Sequence, residues 1–208
     1  MPITPQQFAD LQRRVSGKAP KRARPSSGME ALVKPGQEAI PAARLVLGID
    51  PSLRGTGFGL VEPGKPDPHA VTQGTIRCPA TWERSRCLAR IATVLREMVE
   101  THRPDVCAVE GLFFAQNLQT ALIMGEARGA ALAMVAAAGI PSFEIAPRRV
   151  TQAIVGHGAA QKLAVARMVQ RMLKLPELPE PDAADALALA LVYLQGGGRT
   201  ALNPLKRV

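Results

Sequence analysis

A chain of 208 residues with 47% hydrophobic content is long enough for one domain with a core of its own. Lys and Arg total 26 against 17 Asp and Glu, and the net charge of +9 favours a polyanionic partner or marks a merely soluble basic protein. Aromatics at 3%, with one Trp and one Tyr, argue against a stacking platform for single strands, and three cysteines without CxxC spacing argue against a disulfide framework or a Cys/His zinc site.

Taken in chain order, residues 1–43 hold seven basic residues against three acidic ones and are broken by Pro, Ser and Gly. They read as a basic, mostly disordered N-terminal extension, with a short helix at most near Gln6 to Val15. No secretory signal is expected there, an organellar transit peptide is the alternative to a plain disordered tail, and the cysteine usage suggests a reducing compartment, with a cytoplasmic setting expected. The folded unit is expected over residues 44–198. Arg44–Asp50 is predicted as a strand, Gly55–Glu62 as its hairpin partner and His69–Arg77 as a third strand, after a turn cluster at Pro63–Pro68. A helix follows over Thr81–His102, with Leu88, Ile91, Leu95 and Met98 on one buried face. Asp105–Glu110 is a short buried strand. The Ala-rich Gln116–Ala138 is a long helix stopped by Gly139 and Pro141. Its apolar end, Gly129 to Ile140, is shorter than a bilayer span and reads as buried. Ser142–Ile145 is a strand, and Pro147–Val155 and Ala160–Lys174 are helices. Pro176, Pro179 and Pro181 form a rigid link. Asp182–Gln195 is the last helix, followed by a basic tail over residues 199–208. A meander followed by βα units implies a mixed α/β sheet of five strands with helices on both faces.

Four acids stand at element ends in this scheme. Asp50 closes an apolar strand before Pro51, where an Asx-turn is the ordinary explanation. Glu110 closes another, and a carboxylate there needs an ion pair or a metal. Asp182 and Asp185 begin a helix, where acids favour the positive end of the dipole, yet their i, i+3 spacing also puts both on one face. Gathered in one place, the four would repel one another unless cations neutralised them, and Mg²⁺ suits such a hard oxygen set. Two ions about 4 Å apart serve in-line phosphodiester cleavage. Gly55, Gly57 and Gly59 lack the spacing of a phosphate-binding loop and read as room for another backbone or a ligand beside Asp50.

The run Leu-Gly-Ile-Asp50-Pro-x-x-Arg-x-Thr-Gly57-x-Gly59 resembles the opening of the RuvC family of crossover (Holliday) junction endodeoxyribonucleases. So do Val-Glu110-Gly-Leu-Phe-Phe-Ala-Gln-Asn117, Leu122-x-x-Gly125-x-Ala-Arg128-Gly129, and Leu173-x-Leu-Pro176 leading to Asp182-Ala-Ala-Asp185-Ala-Leu-Ala188. The resemblance spans about Arg44 to Gln195. It implies an RNase H-like fold, a homodimer paired along the long helix after Glu110, and symmetric nicks in opposed strands of a four-way DNA junction during recombination and repair. It makes Asp50, Glu110, Asp182 and Asp185 the catalytic, metal-binding residues, with two Mg²⁺ per subunit for which Mn²⁺ can substitute. It also implies Phe113 or Phe114 at the bases, Arg148, Arg149 and Lys162 at phosphates, and branch-migration motor proteins of the RuvA and RuvB type as partners. Gly156-His157-Gly158 would let the backbone approach DNA. Three departures stand out: the extension, Pro-Ser-Leu after Asp50 where Pro-Gly-Ser is usual, and Thr151 where a Lys often sits. The competing readings are another RNase H-like nuclease, a junction-binding protein without cleavage, and an actin-like ATPase or sugar kinase.

Overall fold

The computed structural model describes residues 43–111, 118–158, 161–196 and 205–208. In chain order these form β1 (Val46–Asp50), β2 (Gly55–Glu62), β3 (His69–Arg77), α1 (Arg84–His102), β4 (Val106–Glu110), α2 (Leu118–Ala137), β5 (Ser142–Ile145), α3 (Pro147–Val155), α4 (Lys162–Met172), α5 (Pro181–Gly196) and β6 (Lys206–Arg207). The strands make one mixed sheet in the order β3-β2-β1-β4-β5-β6. β1 pairs antiparallel with β2 and parallel with β4, and β5 extends the parallel part. Asp50 and Glu110 therefore end neighbouring parallel strands on the same edge.

Side chains alternate across the sheet because the strand period is two. Leu47 and Ile49 of β1 pack with Ile91 and Leu95 of α1 and Ala127 and Ala131 of α2 on one face. Val46 of β1 and Val106 of β4 pack with α3, α4 and α5 on the other. α5 lies against the sheet almost backbone to backbone. A Cβ on Gly48 would stand 1.9 Å from the Ala186 carbonyl oxygen, and one on Gly57 1.9 Å from that of Asp182. The glycines of β1 and β2 and the alanines of α5 together create this approach, as the expected room for another backbone. Ten α5 residues from Ala183 to Tyr193 are buried, so the helix is apolar on every side.

Several expectations shift. The sheet has six strands instead of five: β6 adds antiparallel to β5, with Val208 N–H donating to the Ser142 carbonyl at 3.0 Å and Leu205 buried in the core. A two-residue strand carries too little periodicity to be seen beforehand. α1 begins at Arg84, and its buried stripe is Cys87, Ile91, Leu95 and Val99 rather than Leu88 to Met98. That i, i+4 row rotates the stripe by one position at both ends. It closes at Arg103, whose φ of 49° precedes Pro104. α2 is 20 residues long and apolar enough to cross a membrane by length and composition alone, against the expectation of no such run. It is instead one layer on the sheet, mostly exposed along its outer side. The extension at 1–43 falls outside the described residues except for Ala43, which packs on the core. Arg44 and Leu45 N–H both donate to Asp105 Oδ2 at 2.8 Å, fixing where β1 starts. Cys78, Cys87 and Cys107 are buried free thiols.

Candidate active site

The sheet brings the first two acids together. β1 and β4 run parallel through Ile49 beside Val109, so the next residue of each strand emerges at the same edge. The Asp50 and Glu110 carboxyls share a hydrogen bond there. α5 brings the second pair, because its first turn docks on the Gly55–Gly57 segment of β2. A Cβ on Gly55 would stand 2.6 Å from Asp182 Oδ2. All four acids line one cleft of about 340 Å³, which Lys162 and Thr151 also line. A neighbouring groove of about 460 Å³ holds Thr75, Arg77 and Glu180 but none of the four acids, and Arg77 is already paired with Glu180 at 2.8 Å.

Burial and like charge dominate the electrostatics. Desolvation, then the Glu110 and Asp185 charges, push the Asp50 carboxyl up to about 8. Burial also raises Glu110 and Asp185. Lys162 opposes these shifts: its Nζ lies 3.1 Å from Asp185 Oδ2, and the Asp185 charge raises its own value. Burying the acids together thus favours their neutral forms, and Lys162 brings one positive charge beside them. Among the described residues no three potential ligands are already gathered into a closed metal cluster. The donor set nevertheless fits a hard cation: four carboxylates line one cleft, and among the described residues that line it Lys162 is the one cation.

The loop between β1 and β2 is held firmly. Thr56, fully buried, donates its hydroxyl to the Ser52 carbonyl at 2.6 Å and accepts from Ser52 N–H at 3.2 Å. Arg54 Nη1 donates to the Pro79 and Trp82 carbonyls at 2.6 and 3.0 Å and contacts Cys87 Sγ at 3.1 Å. Neither role was anticipated, although both residues stand inside the quoted motif. Thr151, where a lysine was expected, has its hydroxyl near the carbonyls of Pro147, Arg148 and Gly158 at 3.1–3.3 Å.

Of the expected DNA contacts among the described residues, Lys162 lines the cleft and Arg148 and Arg149 do not. Arg148 is exposed on α3 near Gly158, and the Arg149 guanidinium lies by Gly196, at the end of α5 away from the acids. Gly156 has a φ of 92° and its N–H bonds the Gln152 carbonyl, so it stops α3 in a conformation glycine adopts without strain. Phe113 and Phe114 lie outside the described residues.

Residues 46–193 match the family described as crossover junction endodeoxyribonuclease RuvC. A relative of that description from Halorhodospira halophila is 47% identical over 148 residues, 71% of this chain and 88% of its own length. Another from Syntrophomonas wolfei is 45% identical over 150 residues, covering 72% and 87%. The solved structure of T. thermophilus RuvC in complex with Holliday junction substrate superposes with a TM-score of 0.70 at 32% identity, over 79% of this chain and 99% of that one.

Proposed function

The chain belongs to the RuvC family of crossover junction endodeoxyribonucleases, and on that premise we propose that it resolves Holliday junctions, nicking opposed strands of four-way DNA at symmetric positions in recombination and repair. The RNase H-like arrangement described above supplies the scaffold. The observation that carries the reading is the convergence of Asp50, Glu110, Asp182 and Asp185 in one cleft of a protein with net charge +9.

As a nuclease of this family the protein depends on metal, and Mg²⁺, two ions per subunit, is the proposed cofactor, with Mn²⁺ able to substitute. Asp50, Glu110, Asp182 and Asp185 would hold them. When bound, such ions supply an activated water and stabilise the leaving oxygen of an in-line displacement. The protein's own groups set the conditions. Asp50 and Glu110 must give up the proton they share before both can act as anionic ligands. Lys162, paired with Asp185 at 3.1 Å, is the cleft cation whose ammonium would be available to a backbone phosphate if Asp185 held a metal ion. The Ser52–Thr56 hydrogen bonds brace the loop that follows Asp50.

A pair of copies acting together is part of this reading, and α2 supports it. Its outer side exposes Leu118 at 75% and Leu122 at 59%, and added Cβ atoms on Gly125 and Gly129 would meet nothing within 4 Å. This apolar, small-residue stripe suits a second copy of the chain, giving a homodimer with one acid tetrad per subunit. Phe113 or Phe114 entering between bases, Arg148 and Arg149 at more distant phosphates, a cytoplasmic setting and partnership with branch-migration motors complete the reading, by resemblance to the family.

Substrate choice tests it. A synthetic four-way junction, plain duplex and an RNA–DNA hybrid are incubated with the protein in Mg²⁺. Preferential nicking of the junction is expected; equal nicking of duplex, or preference for the hybrid, would overturn the junction assignment.

A further inference from the structure

Arg128 sits at a crossing of three elements. It belongs to α2, and its side chain is only 14% exposed. Its Nε donates to the backbone carbonyl of Glu110 at 3.2 Å. Its Nη2 donates to Glu144 Oε2, on the neighbouring strand β5, at 2.5 Å. The strands are in register there, with Val109 beside Glu144 and Glu110 beside Ile145. Gly111 N–H closes the ladder on the Ile145 carbonyl at 2.9 Å. The space for the Glu144 carboxylate exists because residue 111 has no side chain: a Cβ there would stand 3.1 Å from Glu144 Cγ and 3.2 Å from Oε1. Lys206 of β6 approaches the same carboxylate at 4.0 Å.

This ion pair ties α2 to the ends of β4 and β5. It bonds the last residue of β4 through its main chain, one peptide before the chain leaves the sheet. The planar guanidinium reaches two acceptors in a fixed fork, which a lysine ammonium cannot reproduce on one stem. The ladder to β5 holds one side of the Glu110 backbone and Arg128 holds its carbonyl, and the proposed cleft chemistry needs the Glu110 carboxylate beside Asp50.

We propose that Arg128 is a positioning residue for the nuclease reaction: it pins the Glu110 main chain at the end of β4, with Glu144 as the acid that orients its guanidinium. The proposal rests on Glu110 belonging to the acid tetrad of the cleft. Arg128 touches neither DNA nor metal in this role. Its effect is on where the Glu110 carboxylate stands, and hence on metal affinity and on the rate of the chemical step.

The full chain and its variants Glu110→Gln, Arg128→Ala, Arg128→Lys and Glu144→Gln are compared in three measurements: junction affinity in Ca²⁺, Mg²⁺ binding by calorimetry without DNA, and single-turnover nicking. Glu110→Gln loses nicking; if it nicks like the parent, the tetrad assignment fails whatever Arg128 does. Arg128→Ala keeps junction affinity but loses about 10–100-fold in Mg²⁺ affinity and nicking rate. Added guanidinium ion restores part of that rate, and Arg128→Lys recovers less than the full value. Glu144→Gln, which leaves the arginine in place, moves the same two quantities in the same direction by a smaller factor and serves if Arg128→Ala does not fold. Native Mg²⁺ affinity and rate in folded Arg128→Ala or Glu144→Gln, or a loss confined to junction affinity, would overturn the proposal.

Discussion

The Asp50 carboxyl, pushed up to about 8 mainly by burial and then by Glu110 and Asp185, makes the metal-free protein sensitive to pH in an uncommon direction. An acid whose folded value lies above its model value of 3.8 binds more protons folded than unfolded between those two points. Its contribution to stability is therefore complete below about 4 and is lost as pH rises through about 8. Thermal unfolding in EDTA is expected to show a falling Tm across that window, and Asp50→Asn flattens the fall. Mg²⁺ competes with those protons, so the stabilisation it confers grows as pH rises over the same range. A Tm in EDTA that rises from pH 5 to 8, with no change in Asp50→Asn, would contradict the account of the cleft. At this scale the sequence was only partly legible. Asp182 and Asp185 have a sufficient local explanation as helix-start acids, and only docking of that helix on Gly55 and Gly57 puts them in the cleft. Arg128 stood in a quoted motif without a role, because the partners that define it, the Glu110 carbonyl and Glu144, lie 18 and 16 residues away.

At the scale of elements, the contact of α5 with β1 and β2 matters most. A methyl at Gly48 or Gly57 would collide with a helix carbonyl at 1.9 Å, which no side-chain movement relieves. Gly57→Ala is expected to cost about 1–3 kcal/mol or more of stability, as overpacking does. It should also reduce nicking in the folded fraction, because the atom displaced belongs to Asp182. Denaturant unfolding and single-turnover rates on the same sample separate the two effects. β6 offers a second test. Leu205 is buried in the core cluster with α5, and Leu205→Ala is expected to cost about 2 kcal/mol with junction nicking retained. The strands and helices were legible where periodicity was long, as in α1, α4 and the β1–β2 hairpin. β6 was not, because two residues carry no pattern. The α1 stripe was misplaced at its ends because Cys87 and Val99 compete with Leu88 and Met98 for nearly the same face, and only the sheet decides which pair turns inward.

For the whole molecule, the net charge and the proposed pairing of two copies carry the predictions. A net charge of +9 predicts that junction binding weakens steeply with salt, by orders of magnitude between about 50 and 200 mM if six or more phosphates are neutralised. The open stripe of α2 predicts that Leu122→Asp yields monomers in analytical ultracentrifugation, each with an intact acid cleft. Such monomers should lose the pairing of nicks more than the chemistry of a single nick. Dimerisation was expected from the family resemblance. The structure contributes the exposed Leu118 and Leu122 and the empty space beside Gly125 and Gly129 that make it physically reasonable. The central claim is that one acid tetrad per subunit, used twice across a symmetric dimer, cuts a four-way junction. Mapping nick positions on a synthetic mobile junction tests it most directly, with the parent chain and Asp50→Asn, each in Mg²⁺ and in EDTA. Paired nicks at symmetric positions in opposed strands, with 5′-phosphate ends that ligase seals, are expected only for the parent chain and only with Mg²⁺. Unpaired or asymmetric nicks, cutting in EDTA, or native cutting by Asp50→Asn would contradict it.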